Sequence, residues 1–154
     1  TLESRGLGDV YKRQEIIQHY KEKKDNKILV ILSGKRRDFL INELDKLGIN
    51  YLYKEMVDLK TVNELYNILD LYIVSSRFEG GPQSVLECAI TKTPIISTDV
   101  GLASSVLSSS SIFDMNNYKI AVPDTDYAYK RVEDFKLIKS MPRYIKMLEY
   151  AFES

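Results

Sequence analysis

Within Ser75–Glu87, SSRFEGGPQSVLE, two carboxylates flank a Gly-Gly-Pro turn, and a hydroxyl follows it at Ser84. An apolar run precedes this stretch and an amphipathic one follows, so the turn joins a buried strand to the start of a helix. Gly80 and Gly81 allow a ligand to approach the backbone closely. The first helical turn leaves amide donors without intrahelical partners, and a helix N-terminus of that kind suits a phosphate. Gln83, Ser84 and Val85 are the amides expected there, with the Ser84 hydroxyl as a further donor. Glu79 lies before the turn, and Glu87 lies about one turn inside the helix, from where its side chain projects back toward the opening. Carboxylates beside a phosphate are unfavourable unless they accept bonds from hydroxyls, as the ribose-binding acid of dinucleotide folds does. The simplest ligand with a diphosphate and hydroxyls on both sides is a nucleotide sugar. The competing reading makes Glu79 an exposed loop acid and Glu87 an acid on a solvated helix face.

Such a site needs strands and helices to hold it, and the pattern supplies them in alternation. Continuous apolar runs at 27–33 (KILVILS), 70–75 (DLYIVS) and 94–97 (PIIS), with a shorter candidate at 50–53, suit parallel strands buried on both faces. Residues 111–113 could add a short edge strand. Helical spacing is read over 15–24, with Ile16, Ile17 and Tyr20 on one face, and over 38–47, ended by Gly48. It recurs over 60–69, 83–89 and 103–107. Past 107 the signal weakens: a serine loop at 108–111, a short helix at 115–120, an amphipathic segment over 126–139, and a last helix with Pro142 in its first turn. The order predicts an α/β fold, a Rossmann-like parallel sheet with helices on both faces. In such sheets ligands bind beyond the carboxyl ends of the strands, which is where Ser75–Ser84 falls.

Composition removes several other chemistries. Lys plus Arg is 22 and Asp plus Glu is 22, so no basic excess points to nucleic acid. The one cysteine, Cys88, excludes an intrachain disulfide framework, and the one histidine, His19, argues against zinc and His-based triads. The longest aliphatic run, Ile28–Leu32, falls far short of the roughly 20 residues that span a bilayer. Residues 1–14, TLESRGLGDVYKRQ, show neither helical nor strand period. Their end, DVYKRQ, resembles the translation of a transposon end used in sequencing-library preparation. They are set aside as a non-native, disordered tail that could be deleted without loss of stability. The remaining 15–154 is read as one incomplete domain whose first strand and preceding domain are missing.

The string EGGPQSVLECAITKTPIISTDVG, Glu79–Gly101, resembles the donor-binding signature of family 4 glycosyltransferases (group 1). The resemblance is strong over Ser75–Gly101 and looser from Lys27 to about Val106. It implies the C-terminal, donor-binding half of a GT-B enzyme, transferring a sugar from a nucleotide diphosphate with retained anomeric configuration. Glu79 would bond the donor sugar, Gly80 and Gly81 would lie against sugar and phosphates, Ser84 and Val85 would meet the diphosphate, and Glu87 would hold the ribose. It also implies no cofactor and no metal, a glycan or lipid-linked acceptor held by the missing N-terminal domain, and a role in glycan or polysaccharide biosynthesis. The expected location is the cytoplasm, with peripheral association at the inner face of a membrane left open.

The sequence departs from the family pattern at Pro82, which has no amide, and at Cys88, where Ala is usual. Lys92 and Leu102 replace glycines, which puts the shape of their turns in question. The basic pair that neutralises the diphosphate has no counterpart at its usual place. Lys35, Arg36 and Arg37 are candidates, against a plainer reading as a solvated helix start. Two readings of other classes stay open: a nucleotide-sugar epimerase and a non-catalytic nucleotide-binding α/β domain.

Overall fold

The structure is a computed structural model that describes residues 2–25, 27–80, 82–114 and 116–153, with side chains from 13 to 152 among them. Its elements in chain order are α1 (Leu2–Lys23), β1 (Leu29–Ser33), α2 (Asp38–Lys46), β2 (Asn50–Lys54), α3 (Leu59–Ile68) and β3 (Tyr72–Val74). There follow α4 (Gln83–Thr91), β4 (Ile95–Thr98), α5 (Ala103–Val106), β5 (Ile112–Phe113), α6 (Thr125–Val132) and α7 (Leu137–Glu153). Among the described residues the strand pairs are all parallel. β1 pairs with β2, and β3–β4–β5 form a second sheet with Tyr72 opposite Ile95 and Thr98 opposite Phe113. This is the expected Rossmann-like α/β arrangement, its pairings divided between a two-stranded and a three-stranded sheet.

Among the described residues, three apolar clusters hold it together. Over one face of β3–β4, Val74 and Ile95 meet Tyr66 of α3, Val85 and Cys88 of α4, Val106 of α5 and Val132 of α6. On the other, Ile96 and Phe113 meet Ile16 of α1. The third cluster joins Ile17 of α1 to Leu32, Leu40, Leu44 and Ile49 around β1 and α2. Adjacent helical residues diverge by about 100° around the axis, so Ile16 and Ile17 do not share one core face as the periodicity suggested. Each enters a different core, and α1 thereby braces both sheets. Lys21 Nζ adds a bond to Leu47 O at the end of α2 (2.6 Å). Gly48 ends α2 as expected, at φ +59°, and Ile49 N–H donates back to Leu44 O (2.9 Å).

The stretch read as a tail enters α1, which runs from Leu2, and Arg13 Nε donates to Ser75 Oγ (3.2 Å). One expectation about the last helix is corrected. Pro142 does not open the last helix, which begins at Leu137. Lys136 O accepts from Lys139 N–H (2.9 Å) and Ser140 N–H (3.0 Å), so the first turn is closed before proline's missing donor is reached. Ile145, Leu148 and Phe152 do share a face of α7, but that face is exposed.

The two glycine replacements resolve differently. Gly101 takes the left-handed conformation at φ +55°, so Leu102 needs only an ordinary φ of −95°. Lys92 itself adopts φ +56°, ψ 29° at the end of α4, a conformation costing an L-residue roughly 1–2 kcal/mol. Its ammonium offsets this by reaching Asp126 of α6 (3.3 Å) and lying 4.6 Å from the Tyr129 ring centroid. Lys92→Gly, which relieves strain and loses both contacts, is expected to change unfolding free energy by less than about 0.5 kcal/mol. Lys92→Ala, which keeps the strain, is expected to destabilise by about 1 kcal/mol in denaturant melts. An Ala variant as stable as the Gly variant would show that the backbone there is not strained.

Candidate active site

β3 delivers the chain to the carboxyl edge of its sheet at Val74, and Ser75 beyond it is fully buried. Thr98 Oγ1, at the end of β4, donates to Ser76 O (2.6 Å) and ties the two strand ends together. Past that tie the chain emerges as an exposed loop, Arg77–Gly80. Glu79 is positioned in it by Ser76 Oγ, which donates to Glu79 Oε1. A cavity of about 440 Å³ opens here between the loop and the turn after β4. Arg77, Phe78, Glu79 and Gly80 line one side, and Asp99, Val100 and Gly101 the other. Asp99 also lines a neighbouring cavity of about 670 Å³ along β5, with Ser108, Asp114 and Tyr127. The site therefore lies beyond the carboxyl ends of β3 and β4, where an open parallel sheet binds its ligand. A Cβ on Gly80 would meet no protein atom within 4 Å, so packing within the protein does not demand glycine there. Gly81 lies outside the described residues.

α4 begins directly after this loop, with Pro82 as the cap in extended conformation and no side-chain cap bond. Gln83 and Ser84 occupy its first two positions, whose amides have no intrahelical acceptor. Val85 N–H donates to Pro82 O (3.0 Å), and its side chain is fully buried. Ser84 is half-buried, and burial pushes the nearby Tyr72 phenol up.

Glu87 is half-buried one turn further on. Its Oε2 accepts the Tyr66 O–H (2.7 Å), and its main-chain O accepts from Thr91 Oγ1 (2.7 Å). Glu87 is not among the residues lining either cavity. The two glutamates thus stand at opposite ends of the loop-to-helix junction, with the first-turn amides between them in sequence. Cys88 beside it is fully buried, and burial, with the Glu87 charge second, pushes its thiol well above the ordinary range. A thiol so placed packs rather than reacts.

The expected basic candidates fall elsewhere. Lys35–Arg37 follow β1, where Arg37 Nε donates to Ser33 O (2.9 Å), and none of the three lines either cavity. His19 stacks edge-on with Tyr20 and Tyr118. Two cavity residues had no role in the sequence reading, although both lie in segments that follow strands. Arg77 brings a positive charge two residues before Glu79, and Asp99 a second carboxyl group from across the cavity. Their signal is position alone: Asp99 directly follows β4, and Arg77 stands three residues past the end of β3, on the ligand-binding edge.

Among the described residues no group of three His, Cys, Asp or Glu side chains could hold a metal ion, and no helix is long and apolar enough to cross a membrane. A search of curated proteins finds no match. The family model described as glycosyl transferases group 1 matches residues 10–151, which takes in nearly the whole chain and the last residues of the stretch that the sequence reading set aside. With helices on both sides of parallel strands and the glutamate-glycine loop at their carboxyl edge, the chain belongs to the glycosyl transferases group 1 family.

Proposed function

We propose that this chain binds a nucleotide-diphosphate sugar at the carboxyl edge of β3 and β4 and serves the transfer of its sugar to an acceptor with retained configuration. The observation that carries the reading is the cavity holding Glu79, Gly80 and Asp99 beside the start of α4, in a chain of this family. Glu79 and Asp99 accept bonds from sugar hydroxyls. The amides of Gln83 and Ser84 face the diphosphate, and Glu87 takes the ribose hydroxyls. In the reaction the bond from the anomeric carbon to the diphosphate oxygen breaks, a new bond to the acceptor oxygen forms on the same face, and the acceptor's hydroxyl proton passes to the departing diphosphate oxygen. The negative charge that builds on the leaving diphosphate falls on the helix start and on Arg77, fixed positive electrostatics of the kind that lowers such barriers. This arrangement calls for no metal.

We take the domain as the donor-binding half of a GT-B architecture, with a glycan or lipid-linked acceptor presented by another domain. Family membership sets sugar transfer above epimerisation and above binding alone. Calorimetric titration of the chain with uridine, guanosine and adenosine diphosphates tests the reading. One of the three is expected to bind with one-to-one stoichiometry and to lose affinity when the diphosphate is shortened to a monophosphate. No binding by any of them would contradict it.

A further inference from the structure

Glu87 does not choose its own orientation. Tyr66, projecting from α3, donates its phenolic O–H to Glu87 Oε2 at 2.7 Å. The tyrosine is held in turn: it belongs to the core beneath α4, and its ring lies 5.6 Å from that of Tyr72. Its main-chain O accepts from Thr93 Oγ1 (2.8 Å). Burial first, and the bond to Glu87 second, push the phenol far above its ordinary ionisation range, so it remains a donor wherever the chain is folded. A carboxylate offers about four acceptor sites, and one spent on Tyr66 leaves the others for hydroxyls of a ligand. Fixing a rotamer before the ligand arrives removes an ordering cost from binding.

We propose that Tyr66 is a positioning residue for nucleotide binding, its O–H holding the Glu87 carboxylate in the orientation that accepts the ribose hydroxyls of a nucleoside diphosphate. The proposal rests on the assignment of Glu87 to the ribose. Tyr66 acts on affinity through Glu87 alone, without touching the phosphates or the sugar.

The test compares the wild-type chain with Tyr66→Phe, Glu87→Gln and the double variant. Each is titrated with whichever of uridine, guanosine or adenosine diphosphate binds the wild type, and with its 2′,3′-dideoxy form. Tyr66→Phe removes a single oxygen, and the ratio of the two affinities within one variant cancels a modest loss of stability. Tyr66→Phe is expected to weaken the ribonucleotide about fivefold to tenfold, to leave the dideoxy form unchanged, and to have a much smaller effect, about twofold or less, once Glu87→Gln is present. A tyrosine that matters only for packing would weaken both nucleotides by the same factor in both backgrounds, which overturns the proposal. If Glu87→Gln discriminates the two nucleotides and Tyr66→Phe does not, the role of Tyr66 alone is overturned. If Glu87→Gln does not discriminate them, or if the wild type binds none of the three, the assignment of Glu87 fails and the proposal falls with it.

Discussion

Glu87→Gln is expected to weaken binding of the nucleoside diphosphate by about tenfold to a hundredfold. A hydrogen bond to a charged group contributes roughly 1.5–3 kcal/mol, and the amide that replaces the carboxylate is a poorer acceptor with one oxygen instead of two. The substitution is close to isosteric. Its remaining carbonyl oxygen can still accept from Tyr66, which now donates to Oε2 at 2.7 Å, so α4 keeps its seating and the loss falls on the ligand. Calorimetry at one pH and salt concentration measures it. An affinity within twofold of the wild type would remove Glu87 from the site.

That prediction could be framed from the sequence because both glutamates and the turn between them lie in one local segment. Local segments are where sequence is most legible. The apolar runs at 29–33 and 95–98 became strands because they are continuous, β-branched and flanked by turn residues. Gly48 and Gly101 marked turns because few other residues adopt their positive φ.

What the sequence hid depends on contacts between distant segments. Nothing in the spacing of Tyr66 and Glu87, 21 residues apart, announces that their side chains meet. The same holds for the two cores that Ile16 and Ile17 enter, which are defined by strands far downstream. Lys92 is the reverse case. The missing glycine was visible, but the contacts to Asp126 and Tyr129 that hold a lysine there come from α6. Arg77 carries no local signal of its own either, since the cavity it lines is formed with Asp99, Val100 and Gly101 from beyond β4.

The second large effect concerns Glu79, which lines the cavity that Glu87 does not. If Glu79 reads the sugar and Glu87 the ribose, the two substitutions must separate by ligand. Glu79→Gln is expected to leave nucleoside diphosphate affinity within about twofold of the wild type. It should remove about tenfold or more of the affinity for the matching nucleotide sugar, since a charge-assisted bond to a sugar hydroxyl is lost. Ser76, which donates to Glu79 Oε1, can donate to the carbonyl of the glutamine as well, so the loop keeps its course. In an assay with an acceptor, the same substitution should lower turnover while sparing inhibition by the free diphosphate.

Calorimetry of the wild-type and Glu79→Gln chains, each with a nucleoside diphosphate and with its sugar conjugate, therefore bears most directly on the claim that this edge of the sheet holds a nucleotide-sugar donor. The account predicts a wild type that binds both ligands and a variant that keeps the diphosphate while losing the contribution of the sugar. Equal weakening of both ligands, or a wild type that binds neither, would contradict it.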